Sequence, residues 1–147
     1  RTHDDAKLFL NVNSKNFSLQ SDNNSKTELN LKSEKATIEL SENSSLKALV
    51  ASLELKCDLY EKAKATLEGE VDNAVIRLDN NAVLTANNLV IKNADLLAEN
   101  YSSCDINVNS LLSLDASGNS TIHLYGEQKI ETKRFMDNAS LIKKPTK

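Results

Sequence analysis

Two histidines, two cysteines and a scatter of carboxylates are the residues of this 147-residue chain with the chemistry for catalysis or metal binding. His3 lies in Arg1-Thr2-His3-Asp4-Asp5, and His123 lies between Ile122 and Leu124, on the outward phase of a strand. Neither has a second histidine or a cysteine at metal-ligand spacing, so no metal centre is expected. Cys57 and Cys104 both fall on apolar, inward phases, 47 residues apart. A disulfide needs Cα atoms within about 7 Å, so the two read as separate buried thiols filling small apolar spaces.

The acidic residues Asp4, Asp5, Asp58, Asp72, Asp79, Asp95, Asp105 and Asp115 are spread along the chain. No Gly-x-Ser-x-Gly elbow, phosphate loop, dinucleotide fingerprint or calcium-binding Gly-Gly-x-Gly-x-Asp repeat is present. One constellation stands out: Glu39, Asp58 and Arg77 follow one another at 19-residue spacing. On neighbouring turns of a repeat this is first a surface ion pair, worth little, and only second an acid/base couple. The threonines Thr27, Thr37, Thr66, Thr85, Thr121 and Thr132 form no Thr-x-Thr rows, which argues against ice binding.

The 19-residue interval is the organising feature. Read from position 24, it gives Asn24, Asn43, Lys62, Asn81, Asn100, Asn119 and Asn138, although Asn is only 18 of 147 residues. The following position is small or polar: Ser25, Ser44, Ala63, Ala82, Ser120, Ala139. Apolar columns keep their own identity, as in Leu40, Leu59, Leu78 and Leu97, or Ile38, Cys57 and Ile76. Between them residues alternate with period two, most clearly from Leu53 to Leu59, the mark of strands with one buried face. A repeat of this length that cannot bury its apolar face alone must stack on its neighbours.

The expected fold is therefore all-β: a single parallel β-helix, or β-solenoid, spanning residues 1–147. Its coils have about 19 residues, each with two short strands and two corners. Residues 1–24 form a less regular first coil and residues 143–147 a charged tail suited to protect one end. Seven or so coils would make a rod of about 30 to 35 Å. Asn24, Asn43, Asn81, Asn119 and Asn138 are assigned to a structural turn ladder, because Asn tolerates left-handed backbone that glycine, with 3 residues here, usually supplies. A second corner is marked by Asn16, Lys35, Asn73 and Asn93. From about Asn88 to Ser110 the alternation runs one residue late, which predicts an extra residue at Asn87-Asn88 and a missing one near Asn109. That slip makes Asn100 and Leu97 the weakest members of their columns.

Composition narrows the function. Net charge is −3, with 18 basic and 21 acidic residues interspersed, no Trp, three Phe and three Tyr. Without a basic stripe or stacking platforms, nucleic acid is excluded as a partner. No apolar run approaches the roughly 18 residues of a transmembrane segment.

The C-terminal part carries a further signal. Ala116-Ser117-Gly118-Asn119-Ser120, Leu124-Tyr125-Gly126 and Asp137-Asn138-Ala139-Ser140 resemble the closing corners of the autotransporter-adhesin head GIN domain, a family of Bacteroidetes envelope proteins. The resemblance runs from about Lys35 to Lys144, with most Gly corners replaced by Asn-Ala or Asn-Ser. It implies a β-helix, export to the periplasm, outer-membrane surface or exterior, and adhesion. It carries no catalytic residues. The expected function is accordingly a non-enzymatic envelope module that presents a rigid surface to a protein or glycan, without cofactor. Solenoid edges are a route to homo-oligomers. The competing expectations are a carbohydrate-active β-helix enzyme and a purely structural spacer.

Overall fold

The computed structural model describes residues 4–145; Arg1, Thr2, His3, Thr146 and Lys147 lie outside the described residues, and with them the reading of His3. Nine strands follow one another: β1 (Lys7–Ser21), β2 (Lys26–Leu40), β3 (Ser45–Leu59), β4 (Lys64–Leu78), β5 (Val83–Ala98), β6 (Ser103–Ala116), β7 (Thr121–Tyr125), β8 (Lys129–Phe135) and β9 (Ser140–Lys143). Every pairing is parallel, each long strand lying on the next in sequence order. Lys7 pairs with Lys26, Lys26 with Ser45 and Ser45 with Lys64, so the repeat is a stack of coils 19 residues apart. This is the β-solenoid read from the sequence.

The corner between coils is made by two consecutive residues with left-handed backbone. Asn23 and Asn24 have φ of 50° and 62°, Glu42 and Asn43 52° and 62°, Asn80 and Asn81 51° and 64°. The residue after the pair donates its N–H back across it, Ser25 to the Asp22 carbonyl at 3.2 Å and Ser44 to Ser41 at 3.0 Å. Two left-handed residues closed in this way form a type I′ turn, which asks for Asn, Asp or Gly because other L-residues pay about 1–2 kcal/mol in that region. The small residue that follows faces inward, and Ser25, Ser44, Ala63, Ala82 and Ser120 are fully buried.

The second corner is built differently. Each long strand runs through it unbroken, and the change of direction shows only as two successive exposed residues, Glu34-Lys35, Leu53-Glu54 and Asp72-Asn73. The two short strands expected per coil are thus two arms of one bent strand, with no left-handed residue between them. Asn73 and Asn93 stack there, Asn93 Nδ2 donating to Asn73 Oδ1 at 3.2 Å.

The slip is present as well. Thr66 pairs with Thr85 but Glu68 with Asn88, so one residue is inserted at that point. The compensating loss falls on β6, where Ala86 pairs with Ile106 but Val90 already with Asn107, and one residue is regained between the pairs Ile91–Val108 and Asn93–Leu111. As a result Asn100 takes the first left-handed position of its corner and Tyr101 the second, with φ of 48° and 65°. Ala98, not Leu97, continues the apolar column above Leu78.

Inward columns fill the core with thin aliphatic layers. Leu40, Leu59, Leu78, Ala98 and Ala116 form one, Ile38, Cys57, Ile76, Leu96 and Leu114 another, all at 1% exposure or less. A fully buried Leu or Ile contributes roughly 1.5–3 kcal/mol, so each coil stabilises its neighbours by several such terms. In the column Leu31, Val50, Gly69, Leu89, the glycine has φ of 119° and its Hα lies where a Cβ would sit 2.0 Å from the Val50 carbonyl oxygen. Gly126, the next residue after Tyr125 on β7, repeats this with φ of 95° and a 2.4 Å approach to the Val108 oxygen.

The C-terminal end closes on charge. Lys143 continues the column of Leu124, and its Nζ donates to the Gly126 carbonyl and to Gln128 Oε1. At the other end, Leu8, Leu10, Val12 and Phe17 of β1 are only half-buried, whereas Thr27, Leu29, Leu31 and Ala36 above them on β2 are buried.

Candidate surface-binding cleft

Outward residues stack into columns as regularly as inward ones. The second arm carries Gln20, Glu39, Asp58, Arg77, Leu97 and Asp115 in one column, and the leading residues of the type I′ corners beside it are Asp22, Ser41, Tyr60, Asp79 and Glu99. Where the two rows meet at mid-stack, Glu39, Asp58, Leu59, Tyr60, Arg77, Asp79 and Asn80 line an open cleft of about 340 Å³.

The constellation singled out in the sequence is therefore assembled in space, but not as the expected ion pair. Asp58 and Arg77 are direct neighbours on adjacent strands, yet among the described residues no ion pair joins them. Glu39 is engaged by Tyr60, whose Oη donates to Glu39 Oε1 at 2.6 Å. That bond to a carboxylate, reinforced by partial burial, holds the Tyr60 phenol above its ordinary pKa. Asp79 accepts from the Asn80 main-chain N–H at 2.8 Å and from Asn100 Nδ2 at 2.7 Å. Glu39 and Asp79 are thus committed to the scaffold, while the Asp58 carboxylate and the exposed Arg77 guanidinium face the cleft beside the half-buried Tyr60 ring.

Further along the stack, charges do pair. Arg134 donates from Nε to Asp115 at 2.6 Å and from Nη2 to Glu99 at 2.8 Å, and Lys133 lies 3.5 Å from Asp95. These exposed bridges each contribute little to stability. On the first arm His123 Nδ1 meets Asp105 Oδ1 at 2.8 Å, both side chains about a third exposed. The partners lie on β6 and β7, which pair at 18-residue spacing, and this is why a 19-residue reading does not align them. No third side chain is hydrogen-bonded to that pair among the described residues, so it is a tie between coils.

The remaining sequence candidates have clear places. Asn24, Asn43, Asn81, Asn119 and Asn138 each hold the second left-handed position of a corner, side chains exposed, with φ between 62° and 64°. The axial bonds there run through the main chain, Asn24 N–H to the Glu42 carbonyl at 2.9 Å and Asn43 N–H to Glu61 at 3.0 Å. Cys57 and Cys104 are free and fully buried. Burial, with a smaller contribution from the neighbouring Asp58 charge, pushes the Cys57 thiol up to about 12, and burial raises Cys104 likewise. Among the described residues no three His, Cys, Asp or Glu side chains stand close enough to share a metal ion. No helix there is long and apolar enough to cross a membrane.

Compared with known families, residues 3–127 match the one described as "Putative auto-transporter adhesin, head GIN domain". The chain belongs to this family. The GIN-domain match takes in every corner from Asp4-Asp5 to Gly118-Asn119 and the cleft around Tyr60. It begins well before Lys35 and ends before the corner at Asp137-Asn138, so the bounds of about Lys35 to Lys144 given by the resemblance are corrected to residues 3–127. No curated protein and no solved structure matches the chain.

Proposed function

We propose that this GIN domain is a non-enzymatic binding head at the cell envelope surface, and that the Tyr60 cleft holds its ligand. The observation that carries this is the pairing of an unengaged carboxylate, Asp58, with an unengaged guanidinium, Arg77, beside an aromatic ring on a rigid stack. Asp58 accepts hydrogen bonds from hydroxyls, Arg77 donates to oxygens, and the Tyr60 face covers the apolar side of a sugar ring, so the ligand class is a surface glycan. Hydrolysis of a glycosidic bond takes two carboxylates in concert, and here Glu39 and Asp79 are occupied by Tyr60, Asn80 and Asn100. Membership of an adhesin-head family supports the same reading.

The test is a glycan array followed by titration calorimetry on the wild type, Asp58→Ala and Arg77→Ala. Expected is saturable binding without turnover, weakened about 10-fold or more by either substitution, the scale of one lost charged hydrogen bond. Release of shortened sugars, abolished in Asp58→Ala, would establish an enzyme instead. Blank arrays would leave the domain a spacer.

A further inference from the structure

The hollow at Tyr60 does not end at Asp58. On the same three strands, one outward residue further from the corner, Lys35, Thr37, Glu54, Lys56, Asn73 and Val75 line a second hollow of about 410 Å³. Only the inward residues Ile38, Cys57 and Ile76 separate the two, so outward side chains run on from Tyr60 at the corner through Asp58 and Lys56 to Glu54. Six residues of extended chain make this track roughly 20 Å long, room for several linked sugars rather than one. Its charges are unequally engaged. Glu54 pairs with Lys35 at 3.7 Å, and Glu39 is held by Tyr60. Among the described residues Lys56 has no ion pair, and its neighbours on the adjacent strands are the uncharged Thr37 and Val75. Arg77 is also unpaired, but Asp58 stands across from it and Asp79 two residues along its own chain. Beyond β4 the same face is occupied by pairs, Lys133 with Asp95 and Arg134 with Glu99 and Asp115, and on β1 it is uncharged at Asn16, Ser18 and Gln20.

We propose that the ligand is an acidic oligosaccharide laid along this track, with a neutral ring on Tyr60 and Asp58 and the carboxylate of the next sugar on Lys56. This rests on the glycan reading of the Tyr60 cleft, and adds the direction of the sugar chain and the sign of its charge. Lys56 lies two residues from Asp58 and four from Tyr60, roughly 7 and 13 Å along the strand, so a ring bound at the corner places its neighbour at the ammonium. Charge sets the order. An acidic ring at Asp58 would meet a like charge, whereas at Lys56 it meets a free ammonium with the Thr37 hydroxyl on the next strand. Val75, 52% exposed on the other side, supplies apolar surface for the C–H face of that second ring.

The probes are tetrasaccharides that alternate a neutral hexose with a hexuronic acid, each beside its form with the carboxyls reduced to alcohols, titrated calorimetrically into the 147-residue chain. Expected is about 10-fold tighter binding of the acidic form, the scale of one charged hydrogen bond. Lys56→Thr should bring the two forms to near-equal affinity. Threonine and valine already occupy that column on the strands either side, so the variant is expected to fold as the wild type does. Lys64→Thr removes the same charge from the first arm, away from the track, and should keep the preference. Asp58→Ala should weaken both forms together. Equal binding of both forms by the wild type, lost in Asp58→Ala, would overturn the acidic ligand and leave the glycan cleft standing. Binding of neither form would overturn both. A preference that survives Lys56→Thr would remove Lys56 from the site. A tetrapeptide of glutamates that displaces the acidic sugar at equal concentration would make the track a reader of peptide charge, and would equally overturn the proposal.

Discussion

The column Leu31, Val50, Gly69, Leu89 shows how far one residue governs its neighbours. Gly69 does not serve a turn; it lets β4 approach β3 so closely that any side chain would meet the Val50 carbonyl at 2.0 Å. Its φ of 119° adds backbone strain for every L-residue. Gly69→Ala is expected to lower stability by about 3 kcal/mol or more, combining backbone strain with overpacking. A urea unfolding series should show the midpoint fall with little change of slope. Asn at the corners meets a milder demand, and the same positions accept Lys62 and Tyr101. A left-handed residue is a preference there, whereas at Gly69 the space itself is missing.

At the scale of strands and coils, much of the fold is legible because two signals are independent. Alternation fixes which residues face inward, and the Asn column fixes where the chain turns, so their agreement over four successive coils leaves one architecture. Even the slip is legible, since an inserted residue shifts the phase of everything after it until a deletion restores it. What stays hidden lies off the 19-residue frame. Asp105 and His123 meet across 18 residues, and Glu39 and Tyr60 across a diagonal of 21, neither of which the 19-residue frame lines up. The first left-handed position was equally obscure, because it mixes Asp4, Asn23, Glu42, Asn80 and Gly118 without a common type. The bulge at Asn87-Asn88 is outward on both residues, so deleting Asn88 should return β5 to 19-residue register on β4 at a change of about 1 kcal/mol or less. Deleting Ile76 instead would turn every later inward residue of β4 outward, and the protein should fail to fold. Thermal melts of the two variants check this contrast.

For the whole molecule, the ends decide how it behaves in company. The Lys143 ammonium is the one charge in the column that Leu124 continues, and its removal should convert a blocked end into an adhesive one. Lys143→Leu is expected to drive end-to-end association, visible as a rise in light scattering at concentrations where the wild type is limited in size.

The parallel stacking also has a mechanical meaning. Residues 4 and 145 lie at opposite ends of the column of coils, so tension applied through them pulls across the strands, not along them. Hydrogen bonds loaded in that direction open one after another, as a zip does. Each coil that peels away frees 19 residues, roughly 60 Å of extended chain, while the coils behind it keep their mutual contacts. A head domain made this way yields under load by paying out chain in steps of about one coil, and a ligand held in the Tyr60 cleft, near the middle of the stack, is released only after the outer coils have been drawn off.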